Sequence, residues 1–359
     1  MNQLSLLPKL YPARKKEGRK KVKNKPRVVS LFSGCGGLDL GFHQANFDVI
    51  YANDIEPSVK ATYEHNIGNI FIEDFCKVKK EDLPGCDVIL AGIPCQPFSN
   101  AGNRGSMNDK RGNLFKEVMK AIDCKQPSIV VFENVRGFMS SKDDEGIPMP
   151  ERIKRELKKH KYNLYYKLLN SADFEVPQNR YRVFMIGIRE DIDKGLEFPL
   201  PILDKQNSTV ENVLSKLPPK DEEFEVWPLS PQSLKMAKHI PPGGSWKNVP
   251  TKSLPERLKK IKREIKKYRS PNFYRRFALD EIMGTITAAA TPENSGIIHP
   301  HEDRRYSVRE IARFQSFPDE FKFIGCSTTQ KYKMIGNAVP VNLAYHVATV
   351  ILEQYFGAN

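Results

Sequence analysis

Short apolar runs, each closed by a polar or acidic residue, recur through the first half of the chain and define its predicted elements. Val28–Phe32 is apolar apart from Ser30 and gives way to a Gly-rich turn, Ser33–Gly37, with a helix from about Leu38. The run "FDVIYANDIE" predicts a second strand ending at the acids Asp54 and Glu56, followed by a helix through His65. A short strand "NIFIED" ends at Asp74, "DVILAGIP" runs up to Cys95, "SIVVFENV" ends at Glu133, and "RYRVFMIGIR" supplies a later strand. Apolar runs bounded by turn residues read as buried strands. Their alternation with helical segments predicts an α/β fold with a mostly parallel sheet wound on both faces.

In such a sheet the C-terminal strand ends form one edge, where ligands bind. Polar groups gather there. In "VILAGIPCQPFS" Pro94 and Pro97 flank Cys95. Prolines stop a strand by removing backbone donors and fixing φ, so the thiol is expected on a stiffened loop. Glycine permits positive φ and close approach of the backbone to a ligand. Asp54 lies seventeen residues beyond Gly37, and a Gly-rich turn followed by such an acid suits a nucleoside with a ribose diol. NAD, FAD and S-adenosylmethionine fit that recipe equally. Asp74 fits either an acceptor for an adenine amino group or a helix N-cap.

Between about Phe198 and Arg304 the character changes: prolines are frequent, the strand–helix alternation is lost, and "HIPPGGSWKNVP" (239–250) reads as loop around Trp246. A last helix is predicted over about 341–356. At 359 residues the chain exceeds the roughly 250 to 300 residues at which single cores stop growing, so two domains are expected. No window offers the roughly 18 uninterrupted apolar residues of a membrane span, and no apolar signal-peptide region is visible, which predicts a cytoplasmic protein. Six cysteines, at 35, 76, 86, 95, 124 and 326, form no C-x-x-C pair. No metal is expected, and most are read as small buried apolar side chains.

The net charge of +14 favours polyanionic partners through counterion release. Lys9–Arg27 holds ten basic residues against Glu17 and reads as a disordered basic arm. A second cluster, "ERLKKIKREIKKYRSPNFYRR" (256–276), has ten basic residues and two acids. Any one of these charges fits a solvated helix face; together they point to nucleic acid.

Six motifs in order then carry a resemblance to a known family. They are "FSGCGG" (32–37), "PCQPFS" (94–99), "ENV" (133–135), "QNRYR" (178–182), "RRYSVREIARFQSFPDEF" (304–321) and "IGNAVPVNLA" (335–344). From about Arg27 to the C-terminus the chain resembles the DNA cytosine-5 methyltransferases. The resemblance implies a Rossmann-like, S-adenosylmethionine-dependent methyltransferase sheet with a smaller target-recognition domain. It divides the chain into a basic arm at 1–26, a catalytic and cofactor-binding domain at 27–197, a target-recognition domain at 198–303, and a hinge and return to the catalytic domain at 304–359. The implied activity is methylation of cytosine in duplex DNA by a monomer of the restriction-modification type, with room for a separately acting cognate endonuclease.

The chemistry explains the residue types. C5 of cytosine is too poor a nucleophile to take a methyl group unaided, so a thiolate must first add at C6. The resemblance gives that role to Cys95 and makes Glu133 the acid that holds the N3 and amino edge of the base. It sets Arg180 against the base O2 and Arg182 near the catalytic acid and cysteine. Alternation alone puts both arginines on one face, which also fits a solvated surface. For the cofactor it implies Phe32, Gly34 and Gly36 on the turn, Asp54 on the ribose hydroxyls and Asp74 on the adenine amino group. Leu114 lies on the adenine face, Phe75 and Pro94 are further cofactor positions, and Asn337 and Val339 lie beside the methionine moiety. Ile55 departs from the aromatic residue that often follows the ribose acid. The loop Asn100–Gly112 is expected to close over a flipped base, and "GTITAAATPEN" (284–294) to reach the DNA. An RNA cytosine-5 methyltransferase of the transfer-RNA type shares these motifs, but a recognition region of about a hundred residues argues against it. A non-catalytic DNA-binding regulator has no need of Cys95, Glu133 and Arg180 together, and an NAD oxidoreductase has no use for such a nucleophile.

Overall fold

The computed structural model describes residues 24–93, 110–143, 145–202, 208–215, 217, 224–264, 273–288 and 297–357. Pro94, Cys95, the rest of the nucleophile loop and most of the Asn100–Gly112 loop lie outside the described residues, as do the basic arm up to residue 23 and the 289–294 part of the stretch expected to reach the DNA.

One compact unit takes its described residues from Met1–Phe174, Tyr181–Pro201 and Val339–Asn359. Its sheet contains β1 (Arg27–Leu31), β2 (Asp48–Asp54), β3 (Phe71–Ile72), β4 (Val88–Ala91), β5 (Ile129–Val135), β6 (Tyr162–Asn170) and β7 (Tyr181–Arg189), in the order β3-β2-β1-β4-β5-β7-β6. The first five strands pair in parallel, whereas β7 runs antiparallel to both β5 and β6. The helices α1 (Gly37–Gln44), α2 (Lys60–Asn66), α3 (Lys110–Lys125) and α4 (Met149–Lys159) connect them. All four residues of β4 and Ile129–Phe132 of β5 are fully buried; a strand covered on both faces must be apolar throughout, which is why these runs lack alternation. Phe115, Val118 and Ile122 of α3 and Ile153 and Leu157 of α4 close one face over Val29, Ile89, Val130 and Val183.

The reversal of β7 decides where its first residues go. Because it is antiparallel, its N-terminal end lies at the edge formed by the C-terminal ends of the parallel strands, with Arg182 opposite Val135 and Phe184 opposite Glu133. The predicted "NIFIED" strand shortens to Phe71–Ile72 because Asp74 begins a turn, its carbonyl accepting from the Lys77 N–H at 2.8 Å.

The second unit takes its described residues from Glu175–Arg180 and Ile202–Ala338. It holds α5 (Val210–Ser215), α6 (Pro231–Ala237), α7 (Glu256–Arg263), α8 (Val308–Phe314) and α9 (Thr328–Asn337), with β8 (Arg275–Arg276) paired in parallel to β9 (Ile297–Ile298). A small core around the fully buried Trp246 gathers Met236, Ile240, Val249, Leu254, Leu258, Phe273 and Ile298. Ser307 and Ser327 cap α8 and α9, each with a reciprocal bond from the third helical residue, Glu310 and Gln330. Residues 304–338, read from sequence as already returning to the catalytic domain, cluster with this unit because α8 packs on α5 and α9. Residues 175–180 join it as well.

The chain returns to the first unit at Val339, and α10 (Val341–Ile351) packs against α1. Thr328–Phe356 is long and apolar enough by composition to cross a membrane. Pro340 interrupts it, however, and Val341, Leu343, Ala344, Val347, Ala348 and Ile351 are buried.

Candidate active site

The Gly-rich turn follows directly from the end of β1. Phe32 adopts φ 60, and its ring meets Phe75 edge-on at 5.8 Å; a side-chain-bearing residue in this region stores on the order of 1 kcal/mol of strain, a frequent mark of functional backbone. Gly34 and Gly36 have φ 56 and 88. A Cβ on Gly36 would lie 2.1 Å from the Ile67 side chain, whereas one on Gly34 would meet nothing within 4 Å. Gly36 therefore serves packing, and Gly34 leaves its backbone open to an approaching ligand. Ser33 N–H donates to the Asn53 carbonyl at 2.9 Å, and Gly34 N–H donates to Asp54 Oδ2 at 2.8 Å.

Asp54, at the end of β2, also accepts from the Glu56 N–H at 2.8 Å. Burial raises its pKa, and the backbone donors at Glu56 and Gly34 oppose that rise. Ile55 beside it is 66% exposed, an apolar surface at the strand edge that could cover a flat ring. Asp74 Oδ1 accepts from the Cys76 N–H at 3.0 Å, the local turn-capping role. Phe75 is buried, with the Lys80 ammonium 4.2 Å from its ring centre. Leu114 is half-buried on α3, and Val339 is buried where the chain re-enters this unit. Asn337 is exposed at the end of α9, in the second unit. The acid at a strand end, the open Gly34, the exposed Ile55 and the carboxyl of Asp74 form a set of acceptors and apolar surface that fits an adenosine-bearing cofactor, whose ribose hydroxyls and amino group donate.

Sequence reasoning missed Asp39. It sits in the first turn of α1 with no exposure, accepting from the Ser30 hydroxyl and from the Tyr63 hydroxyl, each at 2.6 Å. Burial pushes its carboxyl up to about 6, against the pull of the Ser30, Tyr63 and Ser33 hydroxyls. The only signal in the sequence was an acid placed among apolar residues, "GLDLGF", which reads equally as a helix's polar face.

At the far side of the edge, Glu133 is nearly buried and pairs with Arg182 Nε at 2.7 Å. The antiparallel β7 brings these two together. Arg180 parts from Arg182: it precedes the strand, belongs to the second unit, and donates to the carbonyls of Ile286 at 2.6 Å, Gly336 at 2.7 Å and Ala338 at 3.1 Å. The shared face expected from alternation ends where the strand does.

The described parts of the basic cluster, 256–264 and 273–276, are also sorted by the structure; Lys266, Lys267 and Arg269 lie outside the described residues. Arg276 is buried, donating to the carbonyls of His299, Ala237 and Glu302 and to Asp303. Arg275 bonds the Gly244 carbonyl and pairs with Glu281. Lys260 and Arg263 on α7 remain exposed.

Known proteins resemble this chain in sequence and in fold. A family model described as C-5 cytosine-specific DNA methylase matches residues 26–353. Type II methyltransferase M.NgoFVII of Neisseria gonorrhoeae is 35% identical over 349 residues, covering 92% of this chain and 89% of that protein. Type II methyltransferase M.FnuDI of Fusobacterium nucleatum is 33% identical, covering 91% and 94%. The crystal structure of a Spodoptera frugiperda DNMT2 mutant aligns with a TM-score of 0.66 at 17% identity, covering 92% of this chain and all of that one, a likeness of fold. The chain belongs to the C-5 cytosine-specific DNA methylase family. Its sheet is a Rossmann-like methyltransferase sheet, and it is a DNA (cytosine-5-)-methyltransferase of the restriction-modification type.

Proposed function

We propose that the chain methylates C5 of a cytosine flipped out of a specific duplex DNA sequence, through a covalent bond between Cys95 and C6 of the base. The observation that carries this reading is the Glu133–Arg182 pair at the strand edge that also bears the Gly-rich turn. S-adenosylmethionine, which the family implies, supplies a methyl group on a sulfonium. The turn at Phe32–Gly36 would hold it, with Asp54 on the ribose hydroxyls, Ile55 and Leu114 at the adenine face, Asp74 at its amino group, Asn337 and Val339 at the methionine moiety, and Phe75 and Pro94 as further cofactor positions.

Glu133 holds N3 and the exocyclic amine. The Cys95 thiolate forms the S–C6 bond, and the electron pair of the C5–C6 double bond moves toward C5 while N3 is protonated. C5 then takes the methyl carbon that a bound S-adenosylmethionine would supply, as the bond from that carbon to the sulfonium breaks and its electron pair leaves on sulfur as a thioether. Loss of the C5 proton to a base, return of the N3 proton, and rupture of the S–C6 bond with its electron pair going back to the Cys95 sulfur restore the ring. Arg182 fixes the Glu133 carboxylate in one orientation, since an Arg–carboxylate bond at this length is both charged and directional. Arg180 stays in the reading as the contact to the base O2 that the family resemblance implies. Base flipping costs a few kcal/mol, which DNA contacts must offset; exposed Lys260 and Arg263 are suited to phosphates, which position a protein without reading bases. The enzyme acts as a cytoplasmic monomer on chromosomal DNA, requires no metal, and takes its target specificity from the 198–303 region.

Bisulfite sequencing of plasmid DNA from a host expressing the chain tests the reading. Protected cytosines within one short recurring sequence are expected. Unprotected plasmid DNA together with methyl transfer to tRNA would replace it with the RNA reading.

A further inference from the structure

We infer that Asp39 is a positioning residue for the cofactor, acting through Ser30 and Ser33 to hold the Gly-rich turn in its binding shape. The inference rests on the reading of that turn as the cofactor site. Three hydroxyls form one directed string: Ser33 Oγ donates to Ser30 Oγ at 2.8 Å, Ser30 Oγ donates to Asp39 Oδ1 at 2.6 Å, and Tyr63 OH donates to Asp39 Oδ2 at 2.6 Å. Ser30 sits in β1, Ser33 in the turn, Asp39 in α1 and Tyr63 in α2, so the string ties strand, turn and two helices to one carboxylate. Asp39 and Tyr63 have no exposure and Ser30 only 1%.

The turn is pinned from beneath at each of its mobile points. Ser33 is held by the string, Gly34 by its bond to Asp54, and Gly36 by the Tyr63 ring, which a Cβ at position 36 would approach to 3.0 Å. A carboxylate accepts only, so it forces both neighbouring hydroxyls to donate inward and leaves the Ser30 oxygen free to accept from Ser33. An amide at position 39 presents a donor on one side. Either Tyr63 or Ser30 must then turn round, and a reversed Ser30 directs its hydrogen at Ser33 instead. A buried carboxylate is costly even when fully hydrogen-bonded. Packing alone does not require a charge there; a function of the turn does.

The test uses the full-length chain without cofactor and S-adenosylmethionine itself as probe. Asp39→Asn is expected to weaken equilibrium binding of S-adenosylmethionine roughly tenfold, the scale of one hydrogen bond to a charged group. The kcat at saturating cofactor should stay within about twofold, as when a ground-state interaction is removed. Ser33→Ala is expected to weaken binding roughly threefold, and D39N/S33A to bind no more weakly than D39N, because both cut the same string. Binding by D39N within about twofold of wild type, or fully additive losses in the double variant, overturns the inference. If D39N does not fold, Ser30→Ala decides in its place, an unchanged cofactor constant being the contrary result. Asp54→Ala separates this inference from the reading it rests on. No effect of D54A on S-adenosylmethionine binding counts against the cofactor site; weakening by D54A with none by D39N counts against Asp39 alone.

Discussion

The two units of this molecule use polar side chains in opposite ways. In the first, apolar strands carry the fold, and polar groups meet at one edge, the buried Asp39 under the turn, the half-buried Asp54 at the end of β2, and Glu133 with Arg182 where β5 meets β7, while Lys80 is buried elsewhere and paired with Glu117. In the second, regular structure is short and arginines hold it together. Arg276 bonds four carbonyls and Asp303, and Arg313 joins the Val213 carbonyl to Asp319 at 2.8 and 2.6 Å. A guanidinium with five donors suits a region whose backbone carbonyls lack strand partners. Several charged groups of the first unit therefore lie where chemistry is proposed, while much of the buried charge in the second is structural.

That contrast can be broken by mutation. Glu133→Gln should lower methyl transfer by about 10²- to 10⁴-fold, the range for loss of a positioned acid or base, with cofactor binding changed little. Asp54→Ala should do the reverse, raising the cofactor constant more than it slows the chemical step. Steady-state kinetics with direct binding checks both, and equal losses in both parameters would erase the distinction. Arg276→Met should cost about 1 to 3 kcal/mol, the scale of leaving a buried carbonyl without its donor, without altering the first unit's site. Chemical denaturation and cofactor binding by the folded fraction measure it. A near-neutral effect would show that the arginine is not the staple described here.

Two buried groups, one in each unit, should also respond to pH with opposite signs. Burial raises Asp39 from 3.8 to about 6, so its contribution is fully present below 3.8 and is lost as pH rises through 6, by on the order of 3 kcal/mol at most. His299 is lowered from 6.5 to about 4 by burial, with Arg304 and His301 adding to that and Glu310 and Glu302 opposing it. Its Nδ1 accepts from the N–H groups of His301 and Glu302 at 3.3 and 3.2 Å, which favours the neutral ring. Its contribution is present above 6.5 and is lost as pH falls through 4. Across pH 4 to 7, D39N should gain stability relative to wild type as pH rises, and His299→Gln should remove the loss seen on acidification. Melting curves for both variants report the signs, and parallel shifts at every pH contradict them. The smallest expected effect is that of deleting residues 1–25. It should weaken binding to all duplexes alike and flatten the slope of log affinity against log salt by about 0.9 for each phosphate no longer neutralised, leaving site preference unchanged.

The strands and the Gly-rich turn were legible because apolar runs and glycine report local geometry directly. The direction of β7 was not, since "RYRVFMIGIR" is equally apolar run either way, and only its pairing with β5 shows why Arg182 meets Glu133. Asp39 was hidden for a related reason: its burial depends on Ser30 and Tyr63, nine and twenty-four residues away. In the second unit, Arg276 looked like one more DNA-facing charge in a basic run. Its partners lie in segments that sequence spacing does not bring together. The return at Val339 rather than near Arg304 was illegible too, because α8 and α9 carry helical signals that do not say which core they join.

The central claim is that Cys95 attacks a cytosine held by Glu133. A duplex containing the target site with 5-fluorocytosine tests it most directly, because fluorine at C5 cannot leave as a proton does and the covalent adduct persists. With S-adenosylmethionine present, the wild type should form a denaturation-resistant complex whose modified peptide contains Cys95, and Cys95→Ser should form none while still binding the cofactor. A trapped peptide mapping to Cys35 or Cys124, or trapping that survives C95S, would contradict the account.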